Sequence, residues 1–243
     1  MFDRNALTWD DDRKAAAFIT AKDPNILEYA KNVSSWISGE YKVNNNLSLV
    51  IAVHEALGES GISYSIDPSS SFFELSQNTK AVDFIQFPTQ TLTYSAGDCD
   101  DLSILYCSLL EAQGVATAFV TVPGHIFMAV SLKMNLEEAL QIFPNSEDLI
   151  IIKDEVWLPL EITMVGKSFF AAWREGAKQW REYESTGQAV FLPTIESWKL
   201  YAPVGFPGQA SDINLPVKEN VIKNYNKEYQ LIVNYMKIGR AHV

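Results

Sequence analysis

Three short segments of the chain contain residue types that enzymes use for nucleophilic attack. Cys99 lies in the acidic segment GDCDD, His125 follows a Pro-Gly pair, and Glu161 lies in the apolar segment WLPLEIT. A cysteine becomes an effective nucleophile when a histidine takes its proton and a carboxylate orients that histidine. The residue types and their order therefore predict a thiol site, with Cys99 as nucleophile, His125 as base and Glu161 orienting the base.

The sequence around Cys99 is typical of a helix start. Asp98 is a good N-cap residue, and Asp101 three positions later completes a pattern similar to a capping box. Cys99 then occupies the first helical position, where the helix dipole and unpaired amides stabilise a thiolate. The negative charges of the neighbouring aspartates would raise the pKa of the thiol. We therefore expect a nearby imidazolium of His125 to stabilise the negative sulfur.

Glu161 is notable because it interrupts an apolar segment. Strand alternation over residues 155–163 places Glu161 on the same face as Trp157 and Pro159. A carboxylate in such a strand is costly unless it has a partner, and a histidine on the neighbouring strand is the natural one. If Glu161 does not orient the histidine, Asp154 is the next candidate.

Metal-site interpretations of the same residues have less support. The three aspartates beside Cys99 lack the alternating acidic ladder and closing glutamate of an EF-hand loop, so helix capping explains them better. A zinc site built from Cys99, His125 and Glu161 is conceivable by ligand type, but no CxxC or HxxxH pair supports it. Because no nucleotide, flavin or metal signature is present, we expect no cofactor.

The chain has two cysteines, Cys99 and Cys107, which lie on one predicted helix. Eight residues of helix separate their Cα atoms by roughly 12 Å, whereas a disulfide requires less than about 7 Å. They therefore cannot pair with each other. Cys107 lies among apolar residues and is predicted to be core. The alternatives to a catalytic pair are an inert buried thiol at Cys99 and a turn cap at His125.

The remaining pattern predicts an α+β fold. Helical periodicity comes first, followed by a helix that is apolar nearly all round and hence buried, and then by strands on either side of the Pro-Gly turn. The predicted central and C-terminal elements are a buried helix over 98–113, strands over 115–122, 126–132 and 155–163, a surface excursion with a short helix over 133–148, a helix over 167–184, an irregular segment over 188–212 and a helix over 219–237.

Composition restricts the classes of partner. The chain is 47% hydrophobic and 20% charged, which is typical of a globular protein with ample core. Its formal net charge of -11 argues against nucleic acid as a partner. No stretch approaches the ~20 apolar residues that span a bilayer, so we expect no membrane insertion in this segment.

The three segments together resemble the motifs of the bacterial transglutaminase-like superfamily, over about residues 87–163. The resemblance implies a papain-like α+β core, with the cysteine on the central helix and the histidine and acid on adjacent strands. In that superfamily the third residue is more often aspartate, whereas here it is Glu161. The segment FPTQTL just upstream resembles one that lines the cleft, which implies that Gln90 donates to an oxyanion alongside the Cys99 amide.

The resemblance also implies acyl transfer through a thioester on protein or peptide substrates. Transfer to water would make the protein a cysteine peptidase or amidase, and transfer to an amine would make it a transglutaminase. The residues leave both reactions open, although bacterial members of the superfamily favour hydrolysis. The alternative is a catalytically inactive module of the same fold that binds peptides or links domains in a larger protein.

The sequence also suggests a domain organisation. Residues 1–22 are predicted to be a strand or linker that enters from a preceding domain, residues 23–200 the transglutaminase-like domain, and residues 201–237 an irregular segment and a C-terminal helix. Residues 238–243 match the translation of a common sequencing adapter, so His242 is excluded from the chemistry. We expect a longer multidomain chain. The sequence does not determine the cellular compartment, although an extracytoplasmic one is favoured if the chain belongs to a secreted protein.

Overall fold

The computed structural model describes residues 5–37, 43–66, 82–205 and 213–240, and for residues 238–240 it describes the backbone only. The helices are α1 (Pro24–Trp36), α2 (Asn45–Glu59), α3 (Pro88–Tyr94), α4 (Cys99–Glu111), α5 (Leu136–Leu140), α6 (Phe169–Glu184), α7 (Thr194–Trp198) and α8 (Lys218–Arg240). The strands are β1 (Ala6–Thr8), β2 (Ser63–Tyr64), β3 (Val82–Phe84), β4 (Ala96–Gly97), β5 (Thr117–Val122), β6 (His125–Ser131), β7 (Ile150–Ile152), β8 (Glu155–Leu160) and β9 (Val190–Pro193). Short 3-10 helices cover Asp12–Phe18, Ser146–Asp148 and Ile162–Met164.

The fold is mixed α/β and contains a five-stranded sheet in the order β7-β8-β6-β5-β9. Every neighbouring pair in this sheet is antiparallel, which confirms the predicted antiparallel arrangement. Strand β6 lies at the centre, and the turn that joins it to β5 pairs Val122 with His125. Gly124 in this turn has a φ of 73°, a conformation that glycine adopts without a steric penalty.

Helix α4 forms the centre of the core, as the sequence predicts. Every residue from Cys99 to Leu110 is buried, including the polar ones at its first turn. The helix packs against β6 and is also in contact with α1 and α2. The N-terminus of α4, which begins with Cys99, therefore lies in the core beside the sheet.

The N-terminal segment packs into the same core. Strand β1 pairs with β3, and the 3-10 helix that follows buries Ala15, Ala16 and Phe18. The Trp198 indole of α7 donates to the Ala16 carbonyl at 2.9 Å. Residues 5–22 are therefore an integral part of this unit, while residues 1–4 lie outside the described part. Entry of the chain from a preceding domain stays a prediction.

Both edge strands of the five-stranded sheet lie in segments where the sequence analysis did not predict a strand. Residues 188–212 were predicted to be irregular, but β9 pairs with β5 at one edge of the sheet and α7 follows it directly. At the other edge, β7 pairs with β8. The predicted short helix in the excursion is present as α5. Strands of three or four residues contain too little alternation to be recognised, and their pairing partners are distant in sequence. Residues 206–212 lie outside the described part.

The C-terminal helix α8 packs on α2 and α6. Its buried face contains Val221, Tyr225, Ile232 and Met236. It therefore belongs to this unit rather than extending away from it. The predicted adapter segment falls on residues whose side chains lie outside the described part. Although α8 has 23 residues, no helix in the described part is apolar enough over a sufficient length to cross a membrane.

Where α2 meets α8, a glutamate makes folding depend on pH. Burial, followed by the charge of Glu228, raises the pKa of Glu55 from 4.5 to about 7, although the charge of Lys227 acts to lower this pKa. Between pH 4.5 and 7 the folded chain keeps a proton that the unfolded chain has lost, so the Glu55 carboxyl destabilises the fold increasingly as pH rises. We expect Glu55→Gln to stabilise the protein by about 1–2 kcal/mol at pH 8, after allowance for solvent screening, and by little at pH 5.

Urea unfolding of the wild type and Glu55→Gln at pH 5 and pH 8 measures this difference. Glu28, an exposed residue of α1, provides the matched control in Glu28→Gln. The expected result is a gain for Glu55→Gln that grows with pH and is absent in the control. An equal gain at both pH values would contradict the assigned cause.

Candidate active site

Cys99 is the first residue of α4. Asp98 precedes it as the N-cap, and its carboxylate accepts from the Asp101 amide at 3.4 Å. The capping role predicted for Asp98 is thus confirmed. Cys99 is only 5% exposed, so its side chain is almost entirely enclosed by the protein. The Ile126 amide faces this sulfur, which places Cys99 beside the start of β6.

The surroundings of Cys99 favour a protonated thiol in the resting protein. Burial raises the pKa of Cys99 far above its ordinary value, and the charge of Asp98 raises it further. Hydrogen bonds from the amides of Ile126 and of Cys99 itself lower this pKa, but their effect is smaller than that of burial. The sequence predicted a thiolate stabilised by the helix start, so this is a correction: desolvation outweighs the helix dipole. The thiol therefore needs a base at the moment of attack.

His125 is the first residue of β6, and its ring is hydrogen-bonded to the Glu161 carboxylate. Its Nε2 donates to the Glu161 Oε2 at 2.7 Å, because an ionised carboxylate can only accept. This bond uses Nε2 and orients the ring, so Nδ1 is the ring nitrogen left for the predicted role as base. The ring stacks on Phe127 with 5.9 Å between centroids, and its side chain is 23% exposed. The histidine is thus oriented on one side and open to solvent on another.

Glu161 does not lie inside a strand, contrary to the sequence prediction. Strand β8 ends at Leu160, and Glu161 is the N-cap of the 3-10 helix Ile162–Met164. The chain leaves the sheet here because the Glu161 carboxylate accepts from the Thr163 amide at 3.0 Å and from its hydroxyl at 2.5 Å. The alternation rule extended the strand three residues too far, although it placed Glu161 correctly next to His125.

The Glu161 carboxylate is buried yet ionised. Burial favours the neutral acid, but hydrogen bonds from His125 and Thr163 outweigh it and lower the pKa of Glu161 below its ordinary value. A fourth donor is the Gln179 side-chain amide, which donates at 2.8 Å to Glu161 Oε2, the oxygen that also accepts from His125. An anionic Glu161 stabilises the imidazolium that forms when His125 takes a proton.

Asp154, the fallback candidate, is remote from the site. It lies in the hairpin turn between β7 and β8, at the opposite end of β8 from Glu161. It is exposed, has a φ of 67°, and accepts from the Leu136 amide at 3.3 Å. These features make it a turn residue, and it has no contact through which it could orient His125.

Gln90 has a capping role in the structure. Its Oε1 accepts from the Phe87 amide at 2.8 Å and from the Asn5 side chain at 2.6 Å. This closes a capping box at the start of α3 and ties α3 to the N-terminal segment. None of these bonds directs Gln90 towards Cys99, so an oxyanion role stays a prediction without a supporting contact.

The sequence analysis missed two residues near the site. Tyr64 of β2 pairs with Gly97, two residues before Cys99. Partial burial raises the pKa of Tyr64 to about 12, and the charges of Asp98 and Glu161 act in the same direction, so its hydroxyl stays protonated and can donate. The other missed residue is Gln179 on α6. Neither had a signal in the sequence, because β2 is two residues long and glutamine on a helix is common.

Three buried aspartates lie beside Cys99. Single carboxylate oxygens of Asp98, Asp100 and Asp101 approach within 4.8 Å of one another, the only such group found in the described ranges. The second oxygen of Asp100 is buried without a hydrogen-bond partner, and burial raises the pKa of Asp101 to about 8. By donor type, these oxygens could hold a hard cation such as Ca²⁺ or Mg²⁺.

Cys99 at the start of α4 thus lies beside the start of β6, where His125 is hydrogen-bonded to Glu161 at the end of β8. Comparisons with protein families, curated proteins and solved structures found no match for the chain. The arrangement has the residue types that a covalent thiol site uses: a cysteine at a helix start, a histidine, and an ionised carboxylate hydrogen-bonded to that histidine.

Proposed function

We propose that the chain is a thiol-dependent acyltransferase of the transglutaminase-like kind, which acts on protein or peptide amides through a thioester. The observation that carries the proposal is the 2.7 Å bond from His125 Nε2 to the ionised Glu161, made at the strand start that adjoins Cys99. The bond gives a partly exposed histidine an ionised acceptor that orients its ring, which is the arrangement that a general base requires.

In the proposed reaction His125 Nδ1 accepts the thiol proton as Cys99 Sγ attacks the carbonyl carbon of an amide. The carbonyl oxygen becomes an oxyanion, for which the Cys99 amide at the helix start is a donor. When the tetrahedral species collapses, the C–N bond breaks and His125 returns the proton to the leaving amine. The acyl group is then held as a thioester on Cys99.

The second half restores the enzyme. His125 takes a proton from water or from an amine, which attacks the thioester carbonyl and releases the Cys99 sulfur as the C–S bond breaks. The thiol regains the proton from His125. Water as the attacking group makes the reaction hydrolysis, and an amine makes it transamidation. The His125 side chain is partly exposed, which supports access of water and hence hydrolysis.

The fold supports the same proposal. A buried helix with the cysteine at its first residue packs against an antiparallel sheet, with the histidine on the central strand and the acid just beyond the adjacent one. This is the arrangement expected of a papain-like core. Glutamate in place of aspartate is accommodated because Glu161 starts beyond the strand end and reaches back to His125 with its longer side chain.

Acyl-enzyme trapping tests the proposal. The protein is mixed with activated esters of N-acyl amino acids, or with a tryptic digest of unrelated proteins with and without a primary amine, and then quenched in acid. We expect an acyl adduct on the peptide that contains Cys99, together with new peptide termini or amine-modified peptides. The products should be lost in Cys99→Ala and kept in Cys107→Ala, because Cys107 is a fully buried residue inside α4.

The two outcomes lead to different conclusions. Products that depend on Cys99 support the proposal, and their masses separate hydrolysis from transamidation. If neither esters nor peptides acylate Cys99, the acyltransferase proposal is wrong, and the inactive module that binds peptides or links domains becomes the better account. The raised pKa of the buried Cys99 thiol is the observation that favours this alternative.

A further inference from the structure

We propose that Gln179 is a positioning residue for the catalytic pair, and that helix α6 is the element that holds Glu161 in place. The inference rests on the proposed function, since it concerns the same site. Its basis is that Gln179 Nε2 donates to Glu161 Oε2 at 2.8 Å, the oxygen that also accepts from His125 at 2.7 Å.

The Glu161 carboxylate is fully occupied. Thr163 supplies two donors to Oε1, and His125 and Gln179 supply one each to Oε2. A carboxylate offers about four acceptor positions, so each is filled by one donor. Three of the four bonds do not involve His125. These three bonds hold the carboxylate in one orientation independently of His125. Among them, only the bond from Gln179 is made to Oε2, the oxygen that also accepts from His125.

The backbone of α6 is also hydrogen-bonded to Glu161. The Ala172 carbonyl accepts from the Glu161 amide at 3.1 Å. One turn on, a Cβ added at Gly176 would lie 3.0 Å from the Leu160 nitrogen, so glycine allows the helix to lie against the strand end. Ala172, Gly176 and Gln179 are spaced four and three residues apart, which places them on one helix face.

This support explains how a glutamate can serve where a shorter acid is more usual. Glutamate has one more rotatable bond than aspartate, so an unsupported side chain samples more orientations. A base must be held within a fraction of an ångström of its productive geometry. Thr163 fixes one carboxylate oxygen and Gln179 the other, so the extra freedom is removed and His125 Nε2 meets a stationary acceptor.

Removing the Gln179 donor should loosen the His125–Glu161 bond without altering the surface that meets substrate. We expect Gln179→Leu to expose the His125 Nε2 proton to exchange about tenfold faster than in the wild type. The kcat for Cys99-dependent turnover should fall about tenfold with KM nearly unchanged, since a positioning effect acts on the chemical step. Gln179→Asn keeps the amide on a shorter side chain and should give an intermediate value.

The experiment measures the exchange of the His125 Nε2 proton by ¹⁵N-edited NMR, with the resonance assigned from its absence in His125→Ala. The chain has three histidines, so assignment is tractable. Gln188→Leu, a change at an exposed glutamine beyond the end of α6, is the matched control and should change nothing. Urea unfolding of each variant verifies that the fold is retained.

The NMR readout separates this inference from the proposed function. If the protein turns over no amide or ester, the proposed function fails, but the exchange rate still reports whether Gln179 positions the pair. If exchange and kcat in Gln179→Leu equal those of the wild type, the inference is wrong even where turnover is intact. If both change to the same extent in Gln188→Leu, the effect is not specific to the bond with Glu161, and the inference also fails.

Discussion

Replacing His125 by alanine is expected to lower the rate of Cys99 acylation by about 10²–10⁴-fold, the usual contribution of a positioned general base. The physical reason is the protonated resting thiol. Burial raises the pKa of Cys99, so few molecules carry a thiolate unless a base takes the proton during attack. His125 is held for this role by Glu161, and no other histidine is predicted to act in the site.

Two measurements check this expectation. The first is the acylation rate with an activated ester, and the second is the rate of iodoacetamide labelling at Cys99, resolved by peptide mass spectrometry. Labelling at Cys107 is the internal control, because this thiol is buried within α4 and should not respond to His125. Equal Cys99 rates in the wild type and in His125→Ala would mean that the histidine is not the base, and the reaction scheme would have to be abandoned.

Replacing Trp173 by alanine is expected to destabilise the fold by about 3–5 kcal/mol. Trp173 is fully buried on α6, and its indole donates to the Asp148 carbonyl at 2.6 Å. Its ring meets Phe143, Phe170 and Tyr235 with centroids 5.7 Å away in each case. Since Tyr235 belongs to α8, this cluster joins the C-terminal helix to the element that supports Glu161.

Urea unfolding gives the size of the effect, and hydrogen exchange of the α8 amides shows whether that helix loosens. Trp173→Phe should lose only the indole hydrogen bond and part of the packing, and hence cost about 1–2 kcal/mol. Trp180→Ala, the same change at a half-buried position of α6, should cost less than Trp173→Ala. A loss below about 1 kcal/mol for Trp173→Ala would show that the cluster contributes little to the fold.

Much of the candidate site could be predicted because its signals are local. The N-cap Asp98 and the Pro-Gly turn before His125 each specify backbone geometry within a few residues. The pairing of His125 with Glu161 followed from the cost of an unpartnered carboxylate in an apolar segment. The structure contains that pair, with the two side chains 36 residues apart in sequence.

The features that escaped prediction depend on distant partners. Strands β7 and β9 exist because β8 and β5 offer free edges, and nothing in their own three or four residues requires a strand. Gln90 Oε1 accepts from Phe87 and from Asn5, which lies 85 residues away, whereas donation from the Gln90 amide to an oxyanion stays a prediction. When a side chain has several possible hydrogen-bond partners, the tertiary structure determines which of them lies close enough to bond.

The sequence by itself determined the buried helix, the neighbouring antiparallel strands and the residues able to act as nucleophile, base and orienting acid, because periodicity, capping and turn chemistry act over short distances. Only the tertiary structure decided the ionisation of those residues. Desolvation keeps the Cys99 thiol protonated, while four converging donors keep Glu161 charged despite its burial. A pKa depends on the surrounding dielectric and on charges brought from elsewhere in the chain, so it becomes defined only once the chain has folded.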